Sequence, residues 1–246
     1  MINIFIDFDG TITTIDVGDA MFEKFGGKRC LDFIEEYRTG TISAMECFHR
    51  ECAACSGTDK SALDAFLDSQ KIDSSFADFL SFCRSQGFAY YIVSDGMDYY
   101  IDRILRHNNI PDSVFYANHL DLTPMDGTSK IMFQPSFPFT DEVCNRCACC
   151  KRNHMLSLSG DDDIIVYIGE GFSDRCSVRY ADVVFAKDEL LKYCRQENIS
   201  YFEYRTFADI KIRLQKMIEN LQTKKHYGLK KHRQAQLAAK EVFIGG

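Results

Sequence analysis

The start of the chain carries the pattern that most constrains its fold, an apolar run that ends in two carboxylates. Residues 1–8 read MINIFIDF, which is typical of a buried strand at the centre of a parallel sheet. Asp7 and Asp9 stand where this strand ends, and burying two carboxylates is costly unless a cation lies between them. Gly10 then permits a tight turn whose backbone amides can face a ligand. These residues predict that carboxylates hold a hard cation here and that one carboxylate oxygen acts as a nucleophile.

Length and composition limit the class of protein. With 246 residues, 46% of them hydrophobic, the chain can form one α/β domain with an insertion or two small domains. The 29 Lys and Arg against 36 Asp and Glu give a net charge of −7, which does not favour nucleic acid as a partner. The sequence has neither an apolar run long enough to span a membrane nor a basic-then-apolar leader, so we expect no membrane partner and a cytoplasmic location. In that compartment the 11 cysteines are expected to be reduced thiols.

Strands and helices alternate over most of the chain beyond residue 72. The predicted strands lie at 89–93, 114–118, 164–168, 183–186 and 201–204, with a hairpin over 120–133 that turns at Asp126-Gly127. Helical patterns cover 75–86, 97–107, 151–158, 189–198 and the segment from about 206. This alternation predicts an α/β fold, a Rossmann-like doubly wound parallel sheet whose ligand site lies at the carboxyl ends of the strands.

Residues 14–72 show helical patterns only, and no strand is predicted to separate them. Such a segment cannot belong to the sheet, so we predict a helical insertion that acts as a lid, excluding water and selecting substrates. The predicted division is therefore a core domain over 1–13 and 73–223, a helical cap domain over 14–72, and a basic C-terminal tail over 224–246. The tail is expected to be a solvated helix end, with contact to a partner subunit or an anionic surface as the alternative.

Two further segments have the composition of ligand sites. Ser94-Asp95-Gly96 follows a predicted strand and precedes a helix, so its hydroxyl and amides could bind an anion, although a serine in this position is also a common helix cap. Four cysteines, Cys144, Cys147, Cys149 and Cys150, stand directly before Lys151. They are predicted to be loop thiols, with a metal site or a disulfide as alternatives.

The motifs as a set resemble the haloacid dehalogenase (HAD) superfamily. Its first motif, DxDGT, matches residues 7–11, and its fourth, GDxxxD, matches the GExxxD pattern of residues 169–174. The resemblance implies Mg2+ as cofactor, an aspartyl-phosphate formed on Asp7, and acid and base steps performed by Asp9. It implies three overlapping sets of site residues: catalytic Asp7, Asp9 and Lys151; phosphate-binding Ser94, Asp95, Gly96 and Lys151; and metal-binding Asp7, Asp9, Glu170 and Asp174.

Three features of the match leave questions. Lys130 and Arg152 compete with Lys151 for the role of the third motif's cation. Glu170 stands where the superfamily usually has aspartate, so the position of the metal or its bridging water must shift by about one methylene. Asp95 stands where related phosphatases often have glycine, so its side chain must point away from a bound phosphate.

The resemblance also indicates a branch of the superfamily. The helical insertion after the first strand is that of the phosphoserine phosphatase-like enzymes, whose cap is of the C1 type. The segments SDGMDYY, CxxCxCCK, YIGEGFSD and FAKDELLKYC look like the methionine-salvage enol-phosphate phosphatases, over most of residues 1–221. Those enzymes act on a 2-hydroxy-3-keto-5-methylthiopentenyl phosphate.

We therefore expect a Mg2+-dependent phosphomonoester hydrolase whose partner is a small phosphorylated metabolite. The alternatives are a phosphoserine phosphatase, a phosphotransferase, and a non-catalytic phosphometabolite-binding protein. A cap arginine facing the substrate carboxylate would favour phosphoserine, and the candidates are Arg29, Arg38 and Arg50. The sequence does not indicate an oligomeric state.

Overall fold

The computed structural model describes residues 1–142 and 146–223. Cys144 and the basic tail over 224–246 lie outside the described residues. In chain order the elements are β1 (Ile2–Ile6), α1 (Val17–Gly26), α2 (Arg29–Arg38), α3 (Ala44–Cys55), β2 (Thr58–Asp59), α4 (Lys60–Asp68), α5 (Phe76–Ser85), β3 (Ala89–Met97), α6 (Asp98–His107), β4 (Phe115–Pro124), β5 (Lys130–Ser136), α7 (Lys151–Ser157), β6 (Ile164–Gly169), β7 (Val183–Ala186), α8 (Asp188–Gln196), β8 (Phe202–Glu203) and α9 (Phe207–Thr223). Two short 3-10 turns, Phe172–Asp174 and Ser177–Arg179, lie between β6 and β7.

The chain divides into two compact units, of which the first holds a parallel sheet. This unit comprises Met1–Asp7, Asp73–Ile92 and the described part of the chain from Lys151. Its strands follow the order β3-β1-β6-β7-β8, and all the pairings are parallel. Central β1 is apolar on both faces, and Ile4, Phe5 and Ile6 are fully buried, as in a strand with helices on both sides. The predicted α/β parallel sheet is confirmed.

The second unit comprises Phe8–Ile72 and Val93–Cys150. It contains helices α1 to α4, helix α6 and the antiparallel hairpin of β4 and β5. The turn between these two strands passes through Asp126-Gly127, as predicted, and Gly127 adopts a positive φ of 67° that suits glycine. The predicted strand at 114–118 and the first arm of the predicted hairpin are one strand, β4, because the run of extended residues continues without a break.

One prediction for residues 14–72 is wrong, because a strand does separate the helices. Thr58–Asp59 forms β2, which pairs antiparallel with Lys130 and Ile131 of β5. A strand of this length has too few residues to show a hydrophobic period, so local patterning could not reveal it. Asp59, the second residue of β2, also caps helix α4, because its carboxylate accepts the amides of Ser61 and Ala62.

The helices of the second unit begin and end where local capping requires. Asp16 caps α1 by accepting the Asp19 amide at 2.8 Å, and Gly27 ends this helix at a φ of 85°. Ser43 caps α3 through the amide of Glu46. Among the described residues, none of the helices combines the length and the apolar character needed to cross a bilayer.

Candidate active site

The first unit places a buried lysine against the predicted nucleophile. Asp7 follows β1, and its amide donates to the carbonyl of Ile168 in the neighbouring strand β6 at 2.9 Å. The Lys151 ammonium lies 2.5 Å from Asp7 Oδ1 and 2.6 Å from Asp174 Oδ1, and it also donates to the Ser173 hydroxyl at 2.9 Å. Lys151 starts α7, so the helix fixes the point from which its side chain extends.

The ammonium of Lys151 is held in its charged form. Its side chain is 2% exposed, and burial alone would lower the pKa. The carboxylates of Asp174 and Asp7 outweigh that effect and raise the pKa of Lys151 well above its ordinary value. Of the three candidate cations, Lys151 is the one whose contact with Asp7 is established here. Lys130 lies exposed at the start of β5, and the Arg152 guanidinium donates to Asn153.

Asp174 is fully buried and accepts four hydrogen bonds. Besides Lys151, the Tyr167 hydroxyl donates to Oδ1 at 2.5 Å, and the amides of Glu170 and Gly171 donate to Oδ2 at 2.9 and 3.0 Å. These bonds fix the main chain that carries Glu170 directly after β6. A side chain at Gly169 would come within 2.4 Å of the Asp174 carboxylate, so glycine is required there.

The second unit surrounds the Asp9 carboxylate with hydrogen-bond donors. The amides of Val17 and Gly18, at the first turn of α1, each lie 3.2 Å from Oδ1. The Tyr100 hydroxyl donates to Oδ2 at 2.6 Å, and the Ser94 hydroxyl lies 3.4 Å from the same oxygen. A helix N-terminus and two hydroxyls therefore orient this side chain.

The position of the Tyr100 hydroxyl requires glycine at residue 96, in the Ser94-Asp95-Gly96 segment. A Cβ at Gly96 would lie 1.8 Å from the Tyr100 hydroxyl and 2.7 Å from Asp9 Oδ2. Tyr100 is 1% exposed, and burial together with the neighbouring Asp9 raises its pKa well above the ordinary value, so the hydroxyl stays a donor. The amide of Gly96 donates to the Ser94 hydroxyl at 2.9 Å.

Asp95 anchors the loop that carries the cysteines. Its Oδ1 accepts the amides of Ala148 and Cys149 at 2.8 and 2.7 Å, and its carbonyl accepts the side-chain amide of Asn118 at 2.6 Å. The carboxylate is thus occupied by main-chain donors of the segment that leads to Lys151. This gives the unusual aspartate a positional role.

Sequence reasoning missed Tyr100 and Tyr167. Both looked like apolar positions of a helix and a strand, and their hydroxyls turn out to contact Asp9 and Asp174. For Tyr167 the sequence did contain a signal. A buried tyrosine needs a hydrogen-bond partner for its hydroxyl, and the aliphatic residues around Tyr167 in β6 cannot supply one, so the partner had to come from another part of the chain.

Asp7 follows β1 and Glu170 follows β6, and carboxylates are the type of side chain that binds a hard divalent cation. Ile6 pairs with Ile168, so Asp7 and Glu170 follow adjacent strands with little offset. The described residues contain no group of three or more His, Cys, Asp or Glu side chains that could hold a metal ion. Mg2+ does not need such a group, because it keeps several waters and binds through one or two carboxylates and substrate phosphate oxygens.

Comparison with known proteins identifies the family of the chain. The model of the family described as "Putative Phosphatase" matches residues 2–207. The chain is 28% identical over 221 residues to a 2-hydroxy-3-keto-5-methylthiopentenyl-1-phosphate phosphatase of Bacillus cereus, and 29% identical to the protein of the same name from Bacillus cytotoxicus. Each match covers 89% of this chain and 98% of the relative.

Solved structures show the same fold. A phosphoserine phosphatase, in a form described as a phospho-aspartyl intermediate analogue, superposes with a TM-score of 0.63 at 16% identity, covering 85% of this chain and 96% of that one. A HAD family hydrolase from Salmonella enterica serovar Typhi superposes with a TM-score of 0.65 at 17% identity, covering 83% and 68%. These likenesses confirm the fold that the resemblance to the phosphoserine phosphatase-like HAD enzymes implied. The chain belongs to the Putative Phosphatase family and is a phosphatase, a hydrolase of phosphoric monoesters.

Proposed function

We propose that this phosphatase hydrolyses a small phosphorylated metabolite with Mg2+ as cofactor and with a phosphoryl group carried transiently on Asp7. The observation that best supports this is the buried contact of Lys151 with Asp7 at the end of β1. A carboxylate held by a permanently charged lysine stays ionised, and it is therefore available as a nucleophile.

In the first half-reaction, the Asp7 carboxylate forms a bond to phosphorus while the bond to the leaving oxygen breaks. We propose that Asp9, two residues further along the chain, protonates the leaving alkoxide. The Ser94 hydroxyl and the Gly96 amide are proposed to bind phosphoryl oxygens, and Lys151 to neutralise part of their charge.

In the second half-reaction, water attacks phosphorus and the bond to Asp7 breaks. Asp9, now ionised, takes the proton from that water, so one residue serves as acid and then as base. Mg2+, held by Asp7, the Asp9 carbonyl and Glu170, would supply charge neutralisation at the phosphoryl oxygens. Asp174 fixes Lys151 and the Glu170 main chain, and we propose this supporting role for it.

The substrate is a separate proposal. The printed names of the Bacillus relatives make the methylthio-enol phosphate of methionine salvage the first compound to assay. Phosphoserine is less favoured, because two of the three cap arginines are engaged: Arg50 pairs with Glu46 and Glu36, and Arg29 donates to the carbonyls of Gly26 and Ala54.

The decisive experiment replaces the proposed nucleophile. Asp7→Asn should reduce Mg2+-dependent turnover of an aryl phosphate by at least roughly a thousand-fold, because an amide cannot attack phosphorus. Acid-quenched wild-type protein should carry a phosphoryl group on the peptide that contains Asp7, and the variant should not. Asp121→Asn, an exposed aspartate on β4, is the matched control and should retain full turnover. Full activity of Asp7→Asn would refute the assignment.

A further inference from the structure

A buried asparagine on strand β4 has no role in the chemistry described above. Asn118 is fully buried, and its side-chain nitrogen donates to the main-chain carbonyl of Asp95 at 2.6 Å. Among the residues that the structure describes, the other polar atom of this side chain, Oδ1, has no hydrogen-bond partner. A buried oxygen without a partner destabilises a fold, so packing alone favours an apolar residue at this position. The bond that Asn118 donates is therefore where a function is to be sought.

The carbonyl that Asn118 contacts belongs to the same peptide group as the amide of Gly96. In a planar trans peptide the C=O and N–H bonds point in opposite directions, so fixing the carbonyl oxygen also fixes the direction of the amide hydrogen. That amide donates to the Ser94 hydroxyl at 2.9 Å. The peptide is thus held at both of its polar ends, by Asn118 at the oxygen and by Ser94 at the nitrogen.

The other hydrogen bonds of Asp95 do not replace this restraint. The amides of Ala148 and Cys149 donate to its side-chain Oδ1. The side chain turns about its own torsions, so these bonds hold the carboxylate without fixing the peptide that follows residue 95. Glycine at 96, which the Tyr100 hydroxyl requires, gives this peptide more rotational freedom than another residue would. The bond from Asn118 supplies the missing restraint.

The peptide held by Asn118 lies beside the proposed general acid. A Cβ at Gly96 would come within 2.7 Å of Asp9 Oδ2, and the Ser94 hydroxyl lies 3.4 Å from the same oxygen. Asp9, residues 94–96 and Asn118 all belong to the second unit, so their spacing is fixed within one compact body. A rotation of the Asp95-Gly96 peptide would therefore change the hydrogen-bond donors next to Asp9.

We propose that Asn118 is a positioning residue for phosphate binding, which acts by keeping the Gly96 amide directed at the phosphoryl oxygens. The inference rests on the proposed function, in which the Ser94 hydroxyl and the Gly96 amide bind those oxygens. An amide that is already directed at the Ser94 hydroxyl is also directed at an anion bound by that hydroxyl. Such a preorganised donor binds without first losing rotational freedom, so its contribution to affinity is larger.

The test measures how tightly inorganic phosphate, the product of the proposed reaction, binds to wild type and to Asn118→Leu. Leucine keeps the branched shape of the side chain and removes both the donor and the unpaired Oδ1. The affinity for phosphate, measured by calorimetry and by product inhibition of aryl phosphate turnover, should fall by about tenfold or more. The midpoint of thermal unfolding should stay near that of wild type, because one unpaired oxygen, the Asp95 carbonyl, takes the place of another.

A second variant, Asn118→Asp, makes the donated bond depend on protonation. A protonated carboxyl can donate to the Asp95 carbonyl, and an ionised one cannot. The affinity of this variant for phosphate, divided by that of wild type at the same pH, should therefore rise as the pH is lowered. The division removes the effect of pH on phosphate itself. A role in packing alone predicts a ratio that does not change with pH.

The matched control is Asn108→Leu. The Asn108 side-chain nitrogen also donates to a main-chain carbonyl, that of Ile104 at 2.9 Å, but it lies directly after α6, at the end of this helix remote from Gly96. This variant loses a bond of the same kind and should bind inorganic phosphate within about threefold of wild type.

The NMR signal of the Gly96 amide separates this inference from the proposed function. Phosphate should shift that signal in wild type, and no shift at saturating phosphate would refute the proposed role of Gly96. If the signal shifts in wild type and shifts equally in Asn118→Leu, with unchanged affinity, Asn118 does not position the amide and the inference is overturned. A weaker affinity accompanied by a lower unfolding temperature in Asn118→Leu, with a constant ratio in Asn118→Asp, would overturn it as well.

Discussion

The most informative residues are polar groups that became buried. Lys151 joins Asp7 and Asp174, which are far from it in sequence, into one hydrogen-bonded group with no exposed charge. Removing one member of such a buried ion pair typically costs about 3–5 kcal/mol, because the remaining charge is left uncompensated. The same contacts thus hold α7 to the end of β1, where the proposed nucleophile Asp7 lies.

At the residue scale, Tyr100→Phe should impair the proton transfer by Asp9. The variant removes the 2.6 Å hydrogen bond to Asp9 Oδ2 and keeps the longer, 3.4 Å contact of Ser94 with that oxygen. We expect roughly a tenfold or larger loss of kcat with an alkyl phosphate, whose leaving group needs a proton, and a smaller loss with p-nitrophenyl phosphate, whose leaving group does not.

The matched control for that experiment is Tyr99→Phe. The neighbouring Tyr99 hydroxyl contacts Lys60 and Asp64, so its loss should not change the ratio of rates for the two esters. Equal losses with both esters in Tyr100→Phe would show that the tyrosine acts on folding or on binding, and not on the position of Asp9.

At the scale of elements, the end of strand β3 ties the proposed phosphate-binding segment, residues 94–96, to the loop that carries the cysteines. β3 continues through Ser94, Asp95 and Gly96 before α6 begins. Asp95, at that end, accepts the amides of Ala148 and Cys149, both of which are buried. An isolated carboxylate beside a bound phosphate would repel it, so the proposed phosphate site requires the Asp95 carboxylate to be engaged by other donors, as it is by these two amides.

Asp95→Ala should therefore loosen the cysteine loop before it affects the rest of the fold. Two charge-assisted hydrogen bonds disappear and two buried amides lose their acceptor, at a cost of about 1.5–3 kcal/mol for each bond. Hydrogen exchange of the amides at 148 and 149 should accelerate by at least roughly tenfold, while the amides of β1 stay protected.

Asp95→Asn supplies the control for the loop, since its side-chain carbonyl can still accept an amide. Asp95→Asn should therefore restore part of the protection of the amides at 148 and 149 against hydrogen exchange. If exchange at 148 and 149 were the same in Asp95→Ala as in wild type, the carboxylate would not be what holds the loop.

At the scale of the whole molecule, the raised pKa values of the buried Glu51 and the half-buried Asp19 predict how stability changes with pH. Burial raises the pKa of Glu51 to about 9 in the folded protein, from an ordinary value of 4.5. Between these two values the folded state binds more protons than the unfolded state, so stability falls as the pH rises. The group contributes no penalty below about pH 4.5, where both states are protonated.

Glu51→Gln should flatten that dependence. Urea unfolding of wild type should show a loss of up to about 1.4 kcal/mol per pH unit from this residue between roughly pH 5 and 9. The variant should keep only the smaller decline due to Asp19, whose pKa is raised from 3.8 to about 7. Glu46→Gln should decline in parallel with wild type. A wild-type slope near zero over this range would mean that Glu51 is ionised in the folded protein.

Local sequence determined the fold class and the chemistry of the motifs. The apolar run ending in Asp7, the alternation of strands with helices, and the hairpin turn at Asp126-Gly127 all follow from patterns a few residues long, which act within a single element. The same patterns, read as a resemblance, predicted a phosphatase, and residues 2–207 match a family described as Putative Phosphatase.

Only the tertiary structure decided which side chains meet. The contact of Lys151 with Asp7 joins residues 144 apart, and that of Tyr100 with Asp9 joins residues 91 apart. No local period encodes such distances, so the sequence patterns left Lys130 and Arg152 as rivals of the predicted Lys151. They also did not predict the two-residue strand β2 or the buried Glu51, whose Oε1 has no hydrogen-bond partner among the described residues. These depend on packing between helices and strands, where burial makes each polar group require a partner and thereby gives it a role.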